Sequence, residues 1–425
     1  MEQTALNPID AAAVLVVLAA VFGYVNYRVI KLPHTIGLTI MGALASLAVV
    51  AADALIPGFA PGQAVRGFLQ GIDFETALME GMLSFLLFAG ALHVNLEGLI
   101  NRKWTIGILA TIGVVLSTTV VGGVFSLVMG WPLLVALVFG ALISPTDPVA
   151  VLAIFKKTPV PASVEAKIAG ESLFNDGVGI VIFTILAAMA FPAAGSSGIG
   201  AGGVAILFLQ EAAGGILLGL VTGLIAFLVM RRIDEHVLEI IITLALVTGT
   251  YSIAHHLHTS GPIAEVVAGL LIGNYGTRFA MSESTRLHLL TFWEIVDGIL
   301  NSLLFLLIGM EVLALNLMAT YLLPAALAIP VVLLARSIGV GVPVSVLSLF
   351  RTFTPGAMPI LIWGGLRGGI SVALALSLPE SPFRDTILAA TYAVVVFSII
   401  VQGLTIGPLA RRLLPKARGD GGRHG

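Results

Sequence analysis

The sequence has no cysteine and very little charge. Without cysteine the chain can form neither a disulfide bond nor a thiolate metal site. Only 10% of its 425 residues are charged and 58% are hydrophobic, whereas a soluble protein carries about 25% charged residues. The mean hydropathy is +1.06. These values exclude a soluble globular fold and indicate an integral membrane protein. The net charge of −2 adds no information, and we expect no nucleic-acid partner.

Apolar runs of about 20 residues recur along the chain, and each could cross a hydrocarbon core of about 30 Å as a helix. There are about thirteen such runs, so the sequence predicts an all-α polytopic membrane protein. The basic residues test this number, because cytoplasmic loops hold most lysines and arginines. With the N-terminus outside, only Arg66 and Arg384 fall in outer loops and only Arg336 and Arg367 fall within spans. We therefore expect a multi-pass protein of the cell inner membrane with a cytoplasmic C-terminus.

The stretch ALISPTDPVAV (141–151) places two prolines around Thr146 and Asp147 in the fifth span. Each proline removes a backbone donor and disfavours helix in the residue before it. The helix is therefore expected to break here, and the broken helices of secondary transporters supply ion sites in this way. The alternative is a simple proline kink with Asp147 near a helix end.

The stretch GESLFNDGVGIVIF carries four polar side chains into the sixth span, namely Glu171, Ser172, Asn175 and Asp176. Asp176 would lie about 16 Å along its helix, near the bilayer centre. A spacing of four puts Ser172 with Asp176, and Glu171 with Asn175, on shared stripes of the helix. A carboxylate at this depth is costly enough to suggest a functional site, with a buried ion pair as the alternative.

Acidic residues outnumber basic ones within the spans. Arg336 and Arg367 are the candidates to neutralise Glu171, and the residue pattern leaves the choice between them open. Asp147 and Asp176 then have no matched cation. Such a carboxylate in a low dielectric favours a bound proton or a bound cation. A group that holds one or the other, but not both, can exchange them across a membrane.

The twelfth span is also predicted to be interrupted, because four glycines surround Arg367 in WGGLRGGISVALAL and glycine permits local unwinding. Spans five and twelve would then hold corresponding places in two inverted halves joined by span seven. This repeat is inferred from the topology and not from sequence identity between the halves.

Five strings in order carry a family likeness: SPTDPVAVLAIF, GESLFNDGVGIVIF, SGPIAEVVAGLLIGN, FWEIVDGILNSLLFLLIGMEV and WGGLRGGISVALALSLP. Together they resemble the NhaP/NHE branch of the monovalent cation:proton antiporters over nearly the whole chain. The resemblance implies an inverted-repeat antiporter fold with interrupted helices 5 and 12. It also implies a transporter and not an enzyme, with no cofactor, that exchanges Na⁺ or Li⁺ for H⁺ in pH homeostasis and salt tolerance.

The resemblance also implies roles for the polar residues of the spans. Asp176 would bind the ion and the proton, with Asp147 beside it and with Thr146 and Ser172 as oxygen ligands of the transported Na⁺. The Asn-Asp sequence is associated with electroneutral exchange of one cation for one proton.

Four further residues are expected to support this site. The resemblance implies that Glu171 pairs with Arg336 rather than with Arg367. Asn175 is expected to brace the unwound fifth helix, and Arg367 to support the site from the twelfth span.

A homodimer in the lipid bilayer is implied, with two domains in each chain. Residues 1–100 and 204–318 (helices 1–3 and 7–10) would form the dimerisation domain, and residues 101–203 and 319–413 (helices 4–6 and 11–13) the core transport domain. Residues 414–425 would form a short disordered cytoplasmic tail. Exchange of K⁺ for H⁺ is the alternative within the family. An intramembrane aspartyl protease is a remote alternative, because the aspartates lie in Pro-Thr-Asp-Pro and Phe-Asn-Asp-Gly instead of that class's motifs.

Two positions depart from the family pattern. Ala89 stands where many bacterial relatives have an acid in the third span, so any ion ligand that this acid supplies is missing here. Glu265 stands where the family usually has an apolar residue. Its carboxylate is expected either to line a water-filled cavity or to reach solvent from a helix end.

Overall fold

A computed structural model describes residues 8–55, 82–156, 158, 160–192, 201–311 and 319–414. Within these ranges every regular element is a helix, which confirms the all-α prediction. The main helices, in chain order, are α1 (Pro8–Val25), α2 (His34–Leu55), α3 (Leu83–His93), α4 (Lys103–Met129), α5a (Leu133–Ile143), α5b (Val149–Phe155), α6 (Ala162–Ala190), α7 (Ala201–Met230), α8 (His236–Leu257), α9 (Gly261–Leu271), α10 (Glu283–Met310), α11 (Ala319–Ser348), α12a (Ala357–Trp363), α12b (Gly369–Leu376) and α13 (Arg384–Leu413).

Nine of the helices in these ranges are long and apolar enough to cross a membrane. The remaining predicted spans are short or interrupted helices, so the structure is consistent with about thirteen spans. The predicted third span starts at residue 75, outside the described residues, and the predicted tail lies outside them except for Leu414.

Both predicted interruptions are present, at residues 144–148 between α5a and α5b and at residues 364–368 between α12a and α12b. Pro145 and Pro148 account for the first break, since neither residue can donate a backbone hydrogen bond. At the second break the glycines make room for the polar groups of neighbouring helices. A Cβ atom on Gly365 would overlap the Arg336 guanidinium, and one on Gly368 would overlap the Asp147 carboxylate.

Side-chain caps fix where several of the intact helices begin. The Glu235 carboxylate accepts hydrogen bonds from the first amides of α8, and the Ser260 and Ser282 hydroxyls do the same for α9 and α10. Each cap satisfies an amide that has no partner within its own helix. The starts of these helices therefore follow from local sequence.

The described helices pack in two groups. In the first group α2 lies against α10, and α9 lies against α3, α7 and α8; in the second, α5a lies between α4 and α6, and α11 lies against α4 and α13. Glycines allow close backbone approach in both groups, as where Gly42 meets Gly309 and where Gly140 meets Thr118. The groups meet where α6 contacts α7 and α9 and where α10 contacts α12b. The predicted site lies near this boundary.

Candidate ion-binding site

The two helix breaks contact each other through hydrogen bonds. The Asp147 amide donates to the Leu366 carbonyl at 2.8 Å. The Arg367 amide donates instead to Ser398 Oγ on α13, at 3.0 Å. The Arg367 guanidinium is only 2% exposed and donates to the carbonyls of Ser144 and Pro145. These carbonyls follow the C-terminus of α5a, where a positive charge is favoured and free carbonyls need donors. Arg367 therefore stabilises the broken fifth helix.

Asn175 on α6 holds the other side of the α5 break. Its Oδ1 accepts from the Thr146 amide at 3.2 Å, and its Nδ2 donates to Thr146 Oγ1 at 2.8 Å. Thr146 Oγ1 also lies 3.0 Å from Ser172 Oγ. Asn175 therefore bonds to both the amide and the hydroxyl of Thr146 in the α5 break, and Ser172 contacts the same hydroxyl.

Asp176 and Asp147 are placed differently. Asp176 is 4% exposed, and its Oδ1 has no hydrogen-bond partner among the described residues. Asp147 is partly exposed, and its Oδ1 accepts from the Val149 amide at 2.8 Å, which caps the first turn of α5b. Pro145 can approach α6 because residue 179 is glycine. The site therefore holds one capped carboxylate and one carboxylate with an unpartnered oxygen.

Arg336 on α11 pairs with Glu171 on α6. The two groups are 7% and 1% exposed, and Nη1 and Nη2 of the arginine donate to Oε1 and Oε2 of the glutamate, the second bond at 3.0 Å. Nη2 also donates to the Leu361 carbonyl at 2.8 Å, near the end of α12a. This bidentate pair joins three helices of the second group.

A cavity of about 670 Å³ leads from the protein surface to the two aspartates. Thr146, Asp147 and Asp176 line its inner part, and Lys156 and Glu294 line its mouth. The latter two side chains are 73% and 66% exposed and form an ion pair at 3.5 Å, so the mouth is open to solvent. Ser172 is buried but does not line the cavity. A small cation can therefore reach Asp176 directly, whereas the Ser172 hydroxyl contacts Thr146 and is not part of the cavity wall.

Polar residues of the cavity wall that were not predicted as site residues include Asp297, Asn301 and Ser371. Asp297 and Asn301 on α10 line the cavity, and Asn301 Nδ2 donates to Asp297 Oδ1 at 2.9 Å. Asp297 and Asn301 are four residues apart and Glu294 lies one turn earlier, so the three side chains share one face of α10. This spacing could have been noticed in the sequence. Ser371 on α12b also lies on the wall, and nothing in its sequence context marked it.

Glu265 meets neither expectation from the sequence. Its side chain is fully buried, both carboxylate oxygens lack a hydrogen-bond partner among the described residues, and it does not line the cavity. It lies in the second turn of α9, which is covered by α3, α7 and α8. Gly215 and Gly219 bring α7 close to the start of α9 and so exclude solvent.

Ala89, the other position that departs from the family pattern, lies on the cavity wall.

Two crossed interrupted helices, with a carboxylate at their crossing and long apolar helices around them, define the architecture of a secondary transporter. The profile of the family described as "Sodium/hydrogen exchanger, transmembrane" matches residues 16–412. The chain therefore belongs to the sodium/hydrogen exchanger family, which confirms the resemblance seen in the sequence.

Individual relatives agree with this assignment. The chain is 46% identical to the Na⁺/H⁺ antiporter NhaP of Pseudomonas aeruginosa, over 95% of this chain and 97% of that protein. It is 39% identical to the Na⁺/H⁺ antiporter NhaH of Halobacillus dabanensis, over 82% and 86% of the two chains. The solved sodium proton antiporter MjNhaP1 of Methanocaldococcus jannaschii superposes with a TM-score of 0.75 at 20% identity, covering 95% of this chain and 98% of that one. This last likeness concerns the fold.

Proposed function

We propose that this protein is a secondary antiporter that exchanges Na⁺ or Li⁺ for H⁺ across the cell inner membrane. The observation that carries the proposal is the unpartnered Oδ1 of buried Asp176, at the inner end of a solvent-open cavity and beside Asp147. The names of the relatives support the choice of Na⁺ and H⁺.

Exchange follows from competition at Asp176. A carboxylate this deeply buried favours either a bound proton or a bound cation, and one occupant excludes the other. Arg367 donates to the carbonyls of the α5 break, and Arg336 pairs with Glu171. Neither arginine forms an ion pair with Asp176. One proton replaces one monovalent cation without a change in charge, so we expect electroneutral 1:1 exchange.

The transported Na⁺ would be held by oxygen atoms, which hard cations prefer. Asp176, Asp147 and Thr146 supply wall oxygens, and Ser172 contributes when its hydroxyl turns from Thr146. Asn175, Glu171, Arg336 and Arg367 support these ligands by holding the crossing in place.

Alternating access would come from motion of the second helix group, which carries the site, against the first. α4–α6 and α11–α13 would form the transport domain, and α1–α3 and α7–α10 the dimerisation domain of a homodimer. The cavity mouth lies beside Lys156. Lys156 is at the end of the fifth span that faces the cytoplasm according to the distribution of the basic residues. The structure would then be the inward-open state, with the N-terminus outside and the C-terminus in the cytoplasm.

The test is transport in liposomes. The purified protein is reconstituted, a pH gradient is imposed, and lumenal pH is followed when Na⁺, Li⁺ or K⁺ is added. Na⁺ or Li⁺ should dissipate the gradient with the native protein, and Asp176→Asn should abolish the response while the protein still folds. The rate should not change when a membrane voltage is applied, because 1:1 exchange moves no net charge.

Three outcomes would contradict the proposal. The first is no response to any cation with the native protein, and the second is full exchange by Asp176→Asn. The third is a response to K⁺ alone, which would identify the alternative K⁺/H⁺ antiporter. Voltage-dependent rates would contradict the 1:1 stoichiometry and leave the antiport itself intact.

A further inference from the structure

Ser371 lies on the wall of the cavity that holds Asp147 and Asp176, and its hydroxyl is buried. It is 1% exposed, and its Oγ has no hydrogen-bond partner among the described residues. Other buried hydroxyls in the described ranges also lack a partner, namely those of Thr35, Thr250, Thr259, Ser381 and Tyr392, but none of them lines this cavity. A buried hydroxyl without a partner is destabilising, so its position on the cavity wall calls for a ligand.

The helix break explains why the Ser371 hydroxyl is free. Many helical serines and threonines of this protein bond to a carbonyl one turn earlier, as Thr184 does to Ile180 at 3.0 Å and Thr391 to Ile387 at 2.7 Å. Ser371 is the third residue of α12b, so the residue four positions before it is Arg367, which lies in the break and not in a helix. The interruption that forms the site thus also removes the usual acceptor for this hydroxyl.

The position of α12b brings this hydroxyl to the ion path. The helix packs against α6, which carries Asp176, and against α5a and α10. Its preceding residue Gly368 lies so close to Asp147 that a Cβ atom there would overlap the carboxylate. Gly368, Gly369 and Ile370 line the same cavity as Ser371. The start of α12b therefore forms the wall beside the two aspartates.

Resting on the proposed antiport function, we propose that Ser371 Oγ is a further oxygen ligand of the transported cation. A hydroxyl suits a site that alternates between two occupants, since its lone pairs can bind a cation and its proton can bond to a carboxyl oxygen. Thr146 Oγ1 already accepts from Asn175 Nδ2 and contacts Ser172, so Ser371 is the less committed of the two wall hydroxyls. It supplies a ligand from the second interrupted helix.

The experiment compares Ser371→Ala and Ser371→Cys with the native protein in the liposome assay. Each variant should raise the Na⁺ concentration for half-maximal exchange about tenfold, the effect of losing one polar contact to a charged group. The maximal rate should change less than twofold. Cysteine fills the same space with sulfur, a poor ligand for a hard cation, and it should therefore behave like alanine. The control is Ser377→Ala at the other end of α12b, whose hydroxyl bonds to the Leu374 carbonyl and does not line the cavity.

A second readout measures binding without transport. Na⁺ should raise the melting temperature of the native protein and of Ser377→Ala in detergent, relative to choline, and should raise that of the Ser371 variants only at about tenfold higher concentration. If either Ser371 variant keeps the native half-maximal concentrations in both assays, the proposal is wrong. If the variants lose maximal rate alone, Ser371 affects motion and is not a ligand. If the native protein binds Na⁺ but does not exchange it, the antiport function fails while the melting assay still decides the role of Ser371.

Discussion

The Glu171–Arg336 pair gives the sharpest test of how the site is held in place. Glu171→Gln removes the negative charge from a carboxylate that is 1% exposed and leaves the Arg336 guanidinium, 7% exposed, without its counter-ion. Breaking a buried ion pair from one side typically costs about 3 to 5 kcal/mol, because an uncompensated charge remains buried. We therefore expect a large loss of stability from a change of few atoms.

The size of the melting shift follows from the chain length. At about 2 cal/mol/K per residue, a chain of 425 residues unfolds with an entropy of about 0.9 kcal/mol/K. A loss of 3 to 5 kcal/mol then lowers the melting temperature by about 3 to 6 °C. Fluorescence-monitored unfolding in detergent, together with the yield of folded protein from membranes, measures this directly.

A matched control uses the same substitution at an exposed ion pair. Glu380 is 89% exposed and bonds to Arg384 at 3.0 Å, so Glu380→Gln should change stability by less than about 1 kcal/mol. The double variant Glu171→Leu with Arg336→Met removes both charges and should recover part of the lost stability. If Glu171→Gln melts like the native protein and loses transport alone, the pair acts in ion exchange and its role as a scaffold is refuted.

Two further substitutions test the packing around the site. Gly368→Ala places a methyl group against the Asp147 carboxylate; we expect folded protein with at least tenfold weaker Na⁺ exchange in liposomes, and native kinetics would contradict the described crossing. Glu265→Met removes a fully buried carboxylate that has no hydrogen-bond partner among the described residues; we expect stability to rise by about 1 to 3 kcal/mol in thermal unfolding with exchange retained. A loss of exchange without a loss of folding would instead show that Glu265 takes part in transport.

The parts of the fold that could be predicted depend on local backbone chemistry. Pro145 and Pro148 cannot donate backbone hydrogen bonds, so the break in the fifth span follows from the sequence alone. The depth of Asp176 follows in the same way from helical rise and from the length of its apolar run. Composition and the distribution of lysine and arginine gave the membrane class and a consistent number of spans.

The parts that could not be predicted depend on which side chains meet across helices. Charge alone did not show which of Arg336 and Arg367 pairs with Glu171, because either could have neutralised it. In the structure Arg336 makes this pair, and Arg367 donates to the carbonyls that follow α5a. Glu265 was expected near water because carboxylates are rarely buried alone. Its burial depends on the glycines of α7, whose close approach to α9 has no local signal.

The hydrogen bonds behind the crossing have a consequence for cation size. Ser398 accepts from the Arg367 amide at 3.0 Å and donates to Gln402, whose Nε2 donates to the Trp363 carbonyl at 3.1 Å. These bonds hold the α12 break against α13, through residues that lie outside the cavity wall. A larger ion would require the α12 break to shift, and such a shift would disturb its bonds to α13, so we expect the discrimination between Li⁺, Na⁺ and K⁺ to depend on Ser398 and Gln402 as well as on the ligands themselves.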